Sequence, residues 1–188
     1  MFMMSKKKNL NLKKKIQYHS KGINYLFISD ELNAFASCSK DNYVNIYSLP
    51  SCSLIHSLEV EDPELVLLSG RPLSIFIIYS KKLKKLLTFG VNGHFIGEME
   101  MENKPQYAFV YTSKSFRDYL IYSNRGIITI RALPYLEIFK TINLNGEKNL
   151  SINNLYLQYY NNTNESERLY VLDQSKQILY IIGDSASN

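Results

Sequence analysis

The chain has 188 residues, 45% hydrophobic and 21% charged, with 15 Tyr, 9 Phe and no Trp. That is enough apolar material for one packed domain, and eight Gly with five Pro exclude a fibrous or linker sequence. The formal charge of +5 hints at an anionic partner, yet six of the 22 basic residues fall within residues 1–15 with no acid among them, so the rest of the chain carries 16 basic against 17 acidic residues.

Residues 1–17 therefore read as a basic, disordered lead-in (Lys6, Lys7, Lys8, Lys13, Lys14, Lys15). Without interleaved aromatics the Lys make no stacking platform, so nucleic acid is not expected, and the tail is at most an electrostatic handle on an anionic membrane surface. Met1–Met4 is too short and wrongly flanked for a secretory signal. The longest nearly apolar run, Leu73–Tyr79, falls far short of the ~20 residues a spanning helix needs. A cytoplasmic chain, at most peripheral to membranes, is expected. Cys38 and Cys52 do not make a disulfide framework, and Cys38 is expected to pack in a strand. The triplets beginning at Asn149, Asn161 and Asn164 match the glycosylation pattern but read as chance in an Asn-rich chain without a signal.

From residue 18 the pattern is that of strands. Ser37–Pro50 (SCSKDNYVNIYSLP) returns as Ile121–Pro134 (IYSNRGIITIRALP), with Ser39 on Ser123, Ile46 on Ile130 and Leu49-Pro50 on Leu133-Pro134, all 84 residues apart. Half of 84 is 42, a period that four-stranded propeller blades give. Within Tyr43–Leu49 the alternation puts Val44 and Ile46 on one face and Tyr43 and Tyr47 on the other. The expected fold is all-β, with about four four-stranded antiparallel blades over 18–184, at about 19–60, 63–101, 105–144 and 150–183. In the first blade the strands are expected near 23–29, 34–39, 43–49 and 54–60, and in the third near 107–112, 118–123, 127–133 and 136–142. Asn92-Gly93 is a hairpin-turn signal, and 161–168 reads as a polar surface insertion. Four blades fall short of the usual ring, so the chain is expected to be part of a larger, seven-bladed propeller, or to be completed by another chain.

The first unit resembles a WD-repeat. Tyr18-His19 stands for the Gly-His pair, Ala36-Ser37-Cys38-Ser39 for Ala-Ser-Gly-Ser, Asp41-Asn42 for Asp-Gly, and Tyr47-Ser48 for Trp-Asp. The resemblance implies a structural hydrogen-bond set of His19, Ser37, Asp41 and Tyr47. The other units lose it; Arg125 stands where Asp41 stood. Phe89–Gly97 after Ile77–Ser80, with Ile130–Leu133, resembles the C-terminal WD-repeat region of BEACH-domain (neurobeachin-like) proteins, although no BEACH domain is present. That resemblance implies a scaffold for protein partners in vesicle or lysosome-related membrane traffic; a WD-repeat subunit of another complex is the alternative.

No catalytic chemistry is expected. His19, Ser37 and Asp41 are the residue types of a hydrolase triad, but no nucleophile elbow accompanies them. His19, His56 and His94 have no metal spacing, no loop has the glycines of a phosphate cradle, and no cofactor is implied. Glu98, Glu100 and Glu102 share one strand face and read as a solvated edge.

Overall fold

The computed structural model describes residues 12, 14–113, 116–144, 154–158, 168–173 and 178–183. They form fifteen strands: β1 Ile23–Ser29, β2 Ala34–Ser39, β3 Tyr43–Ser48, β4 Leu54–Glu59, β5 Pro63–Leu68, β6 Ile75–Ser80, β7 Lys85–Gly90, β8 Phe95–Glu100, β9 Tyr107–Thr112, β10 Asp118–Asn124, β11 Ile127–Ala132, β12 Glu137–Asn143, β13 Asn154–Gln158, β14 Arg168–Asp173 and β15 Ile178–Gly183. Each sheet is an antiparallel meander: β1-β2-β3-β4, β5-β6-β7-β8, β9-β10-β11-β12 and β13-β14-β15. The expected strands of the first and third units fall within a residue or two of these. The fourth sheet shows three strands among the described residues. Most of the insertion lies outside them.

The first strands β1, β5, β9 and β13 lie side by side, and the last strand of each complete sheet forms an outer edge. Sheets stack face to face. Ala36, Cys38, Val44 and Ile46 of the first sheet pack on Val66, Leu68, Phe76 and Ile78 of the second. Leu65, Ile77 and Tyr79 on its other face pack on Leu120 and Tyr122 of the third. Ile121 and Ile128 then meet Leu169 and Val171 of the fourth. A sheet covered on both faces needs apolar residues at both phases, which is why β6 (IFIIYS) is a continuous apolar run rather than an alternating one.

The 42-residue period is written in the backbone more clearly than in the side chains. Asn42, Lys84 and Gly126, each 42 apart, all have positive φ (69, 53 and 78°) in the turn between second and third strands. Their carbonyls accept the N–H of Val60, Met101 and Leu144 at 2.8, 2.8 and 3.0 Å, tying the end of each outer strand to that turn. Turns into the second strand carry Asn33, Ser74 and Phe116 at positive φ; turns into the fourth carry Cys52, Gly93 and Leu136. The register slips after Ile46, Thr88 and Ile130, leaving Ile55, Ile96 and Phe139 as extra residues in the three outer strands. A bulge twists an exposed edge and makes it a poor template for pairing with another chain. Charge does the same on β8, where Glu98 and Glu100 both face Lys85.

Candidate functional site

The structure brings His19, Ser37, Asp41 and Tyr47 together. The turn from β2 to β3 has three residues, Lys40-Asp41-Asn42, with Asn42 N–H donating to Ser39 O at 3.2 Å and Asn42 in the left-handed region. That loop turns the Asp41 carboxylate back over the sheet. It accepts from Ser20 N–H at 2.8 Å, Tyr43 N–H at 3.1 Å and His19 Nδ1 at 3.1 Å. Nδ1 therefore donates to the carboxylate, and Nε2 is hydrogen-bonded to the Ser37 hydroxyl at 2.8 Å. The Tyr47 hydroxyl stands 3.5 Å from Ser37 Oγ, and its ring stacks on Phe35 and meets Tyr18. The His19 and Asp41 side chains are 4% and 6% exposed. Burial works to raise the Asp41 pKa; the two backbone N–H groups and His19 overcome it, so the carboxyl lies below the ordinary 3.8.

Asn45 belongs to this set and the motif did not name it. Its Nδ2 lies 3.4 Å from His19 Nδ1, a contact between two donors and so not a hydrogen bond, while its Oδ1 accepts the Ser57 hydroxyl at 2.6 Å and ties β3 to β4. The signal was present: Asn45 shares a strand phase with Tyr43 and Tyr47. In the third sheet Asn124 pairs with Ile127, so the turn there is the two-residue Arg125-Gly126, both at positive φ. Arg125, at the place of Asp41, takes the left-handed conformation and offers no carboxylate there.

Asn92 and Gly93 lie in the turn between β7 and β8. Gly93 N–H donates to Gly90 O at 2.8 Å, and Asn92 Oδ1 accepts His94 N–H at 3.2 Å. Gly93 has φ +80°, and a Cβ there would lie 2.2 Å from His56 Nε2 of the first sheet. The turn is thus a packing element between sheets. His94 is exposed.

Asp118 was not anticipated. It is 1% exposed at the start of β10. Its Oδ1 accepts the Thr112 hydroxyl at 2.6 Å, and Oδ2 is buried without a hydrogen-bond partner. Burial raises its pKa, the Thr112 and Ser69 hydroxyls oppose this, and the charge of Glu31 adds to it. Glu31 crosses from the first sheet to accept Arg71 N–H at 2.8 Å, over Gly70, where a Cβ would fall 2.0 Å from its carboxylate. Cys38 is a free, buried thiol in β2, and burial pushes its pKa up to about 12. Among the described residues no three His, Cys, Asp or Glu side chains converge as metal ligands, and no helix is long and apolar enough to cross a membrane.

Two grooves among the described residues bear on these positions. One, about 440 Å³, lies at the end of the third sheet between Leu73, Phe116, Asp118, Tyr119, Leu133 and Phe139. Of its lining residues Phe116, Ile138 and Phe139 are between 62% and 74% exposed. The other, about 250 Å³, lies on the outward face of the first sheet, beside His19 and Ser37. The segment preceding His19 borders it, with Lys14 Nζ donating to Ser51 O at 2.8 Å.

No protein-family model matches the sequence, and no curated protein does. Solved structures do match. The WD40 domain of SCAP from fission yeast aligns with TM-score 0.67 at 13% identity, over 90% of this chain and 41% of that one. BBS1N, solved in complex with ARL6DN, aligns with TM-score 0.65 at 11% identity, over 89% of this chain and 53% of that one. The computationally designed Ika4 aligns with TM-score 0.58 at 12% identity, over 91% of this chain and 96% of that one. The chain thus spans about half the length of the two natural proteins and nearly the whole of the designed one. The antiparallel four-stranded sheets, stacked face to face with their first strands inward, are WD40-like β-propeller blades.

Proposed function

We propose that the chain is a non-catalytic platform for protein partners, and that the exposed apolar rim of the third sheet is its contact surface. The carrying observation is Phe116, Ile138 and Phe139, all largely exposed and all lining one groove. Large exposed apolar side chains gathered in one place mark interaction surfaces. Support comes from the solved neighbours: BBS1N was crystallised with ARL6DN, and a SCAP domain with an SREBP domain. In this reading His19, Ser37, Asp41 and Tyr47 are a fastener. Ser37 sits mid-strand and is 2% exposed, with its hydroxyl occupied by His19, so it has no approach to a carbonyl carbon.

The finer reading is a BEACH-type scaffold in vesicle or lysosome-related traffic, cytoplasmic and peripheral to membranes. Residues 77–97 and 130–133 are its support, through their resemblance to that family's propeller region. The test is comparative affinity capture with the wild-type chain and a Phe116→Ala/Phe139→Ala variant, both checked for equal melting temperature. The proposal expects partners that the wild type retains and the variant loses, enriched from trafficking membranes for the finer reading. The same partners on both chains would remove the rim from the proposal.

A further inference from the structure

Every inward-facing pair of one sheet has a counterpart in the next. In the second sheet Val66 pairs with Ile78 and Leu68 with Phe76. In the third Ala108 pairs with Tyr122 and Val110 with Leu120. In the first Leu26 pairs with Ser37 and Ile28 with Phe35. Leu26, Val66 and Ala108 stand 40 and 42 residues apart, as do Ile28, Leu68 and Val110. In the second and third sheets these positions lie in the clusters made with the preceding sheet. Val66 and Leu68 are 0% and 3% exposed, whereas Leu26 and Ile28 are 55% and 54% exposed. The first sheet therefore presents a blade-to-blade contact surface with its blade missing.

Among the described residues the sheets follow one another first to second, second to third and third to fourth, and Leu26 and Ile28 stay exposed. Among the described residues before His19, Tyr18 meets Tyr47, and Tyr18 and Ile23 are exposed as well. We propose that this face is covered by the fourth sheet of a second copy of the chain, and that two copies close head to tail into one eight-bladed ring. Three observations favour a second copy as the occupant. The surface continues the stacking already used three times within the chain, so what fits it is another such sheet. Four sheets span 41–53% of the natural propeller chains they match, leaving about as much again to complete a ring, and eight blades lie within the range in which propellers close. Outside residues 1–15 the charge is nearly balanced, 16 basic against 17 acidic, so two bodies do not repel strongly. Two identical head-to-tail contacts related by a two-fold axis form a closed assembly with no sheet left open. The contact is separate from the partner rim on the third sheet.

Sedimentation equilibrium of the full 188-residue chain tests this. The wild type is expected at twice 21.8 kDa, with a melting temperature that rises with protein concentration. Leu26→Asp/Ile28→Asp introduces two charges at exposed positions of the first sheet. That variant is expected to keep its far-ultraviolet circular dichroism, sediment at 21.8 kDa, lose the concentration dependence of melting, and associate at least about tenfold more weakly. A wild type at 21.8 kDa at every soluble concentration overturns the proposal and assigns the face to blades from other sequence. A double-mass species that survives both substitutions overturns it as well, because the copies then meet elsewhere. A variant without β structure is replaced by Leu26→Lys alone, read by the same mass.

Discussion

Replacing Asp41 by Ala removes the acceptor of three hydrogen bonds at once. Two of the donors, the N–H groups of Ser20 and Tyr43, are exposed, so water replaces the carboxylate there at little cost. The third, His19 Nδ1, belongs to a side chain 4% exposed and is left without its anion. A hydrogen bond to a charged group contributes about 1.5–3 kcal/mol, and the loss of a turn-capping carboxylate costs about 0.5–2 kcal/mol. Together these give a destabilisation of about 2–5 kcal/mol, measured by urea unfolding at pH 7. Asp41→Asn, which keeps one acceptor oxygen, is expected to lose about half as much. The pH dependence has a definite sign. The folded carboxyl titrates below its ordinary 3.8, so the unfolded chain binds the proton more readily. Asp41 therefore contributes its full stability above that ordinary value and loses it as the pH falls through the lower folded value. The variant should show a smaller acid loss than the wild type. In a double-mutant cycle His19→Ala and Asp41→Ala should couple by about 1–2 kcal/mol. A loss below about 0.5 kcal/mol for Asp41→Ala, or additive effects in the cycle, would refute the fastener.

Four further outcomes are expected. Asp118→Asn keeps an acceptor for Thr112 and removes a buried carboxylate with an unpartnered oxygen; at pH 7 it should stabilise the fold by about 1 kcal/mol. Because the folded pKa of Asp118 is raised, its stabilising share is present below the ordinary 3.8 and is lost as the pH rises through the folded value, so the gain from the Asn variant should vanish in acid. Gly93→Ala places a Cβ at positive φ against His56 and should cost about 1–2 kcal/mol in urea unfolding. Lys84→Gly relieves an exposed residue with φ 53° and should raise stability by up to about 1 kcal/mol, seen as a higher urea midpoint. Thiol titration of the native chain should modify Cys52 at once and Cys38 only on unfolding, since Cys38 is fully buried with its pKa pushed up to about 12.

Much of this was legible in the residues. The echo between Ser37–Pro50 and Ile121–Pro134 marks second and third strands of sheets one and three, and the alternation through Val44 and Ile46 marks the face that packs on the second sheet. Asn92-Gly93 announces its turn because those residues tolerate left-handed backbone. Other turns carry no such signal: Leu136 in the equivalent turn, and Phe116 and Lys84 in the other two turns of their sheets, also take positive φ, imposed by the repeated strand geometry and not by their own preference. Asp118 resembles a surface residue in sequence, beside Arg117 and near Lys114. Only the stacking of the third sheet against the Ser69-Gly70 turn buries it, a long-range consequence with no local signal. Asn45 falls between these cases, readable by phase once His19 and Asp41 are placed.

Hydrogen exchange read by mass spectrometry tests the repeating sheet stack most directly. The account predicts protection maxima over β2–β3, β6–β7 and β10–β11, spaced by 42 residues, with faster exchange at the outer strands. In residue-resolved spectra the amides of Val60, Met101 and Leu144 should be protected out of step with their exposed neighbours, by their bonds to Asn42, Lys84 and Gly126. Protection without that period, or fast exchange at all three amides, would contradict it.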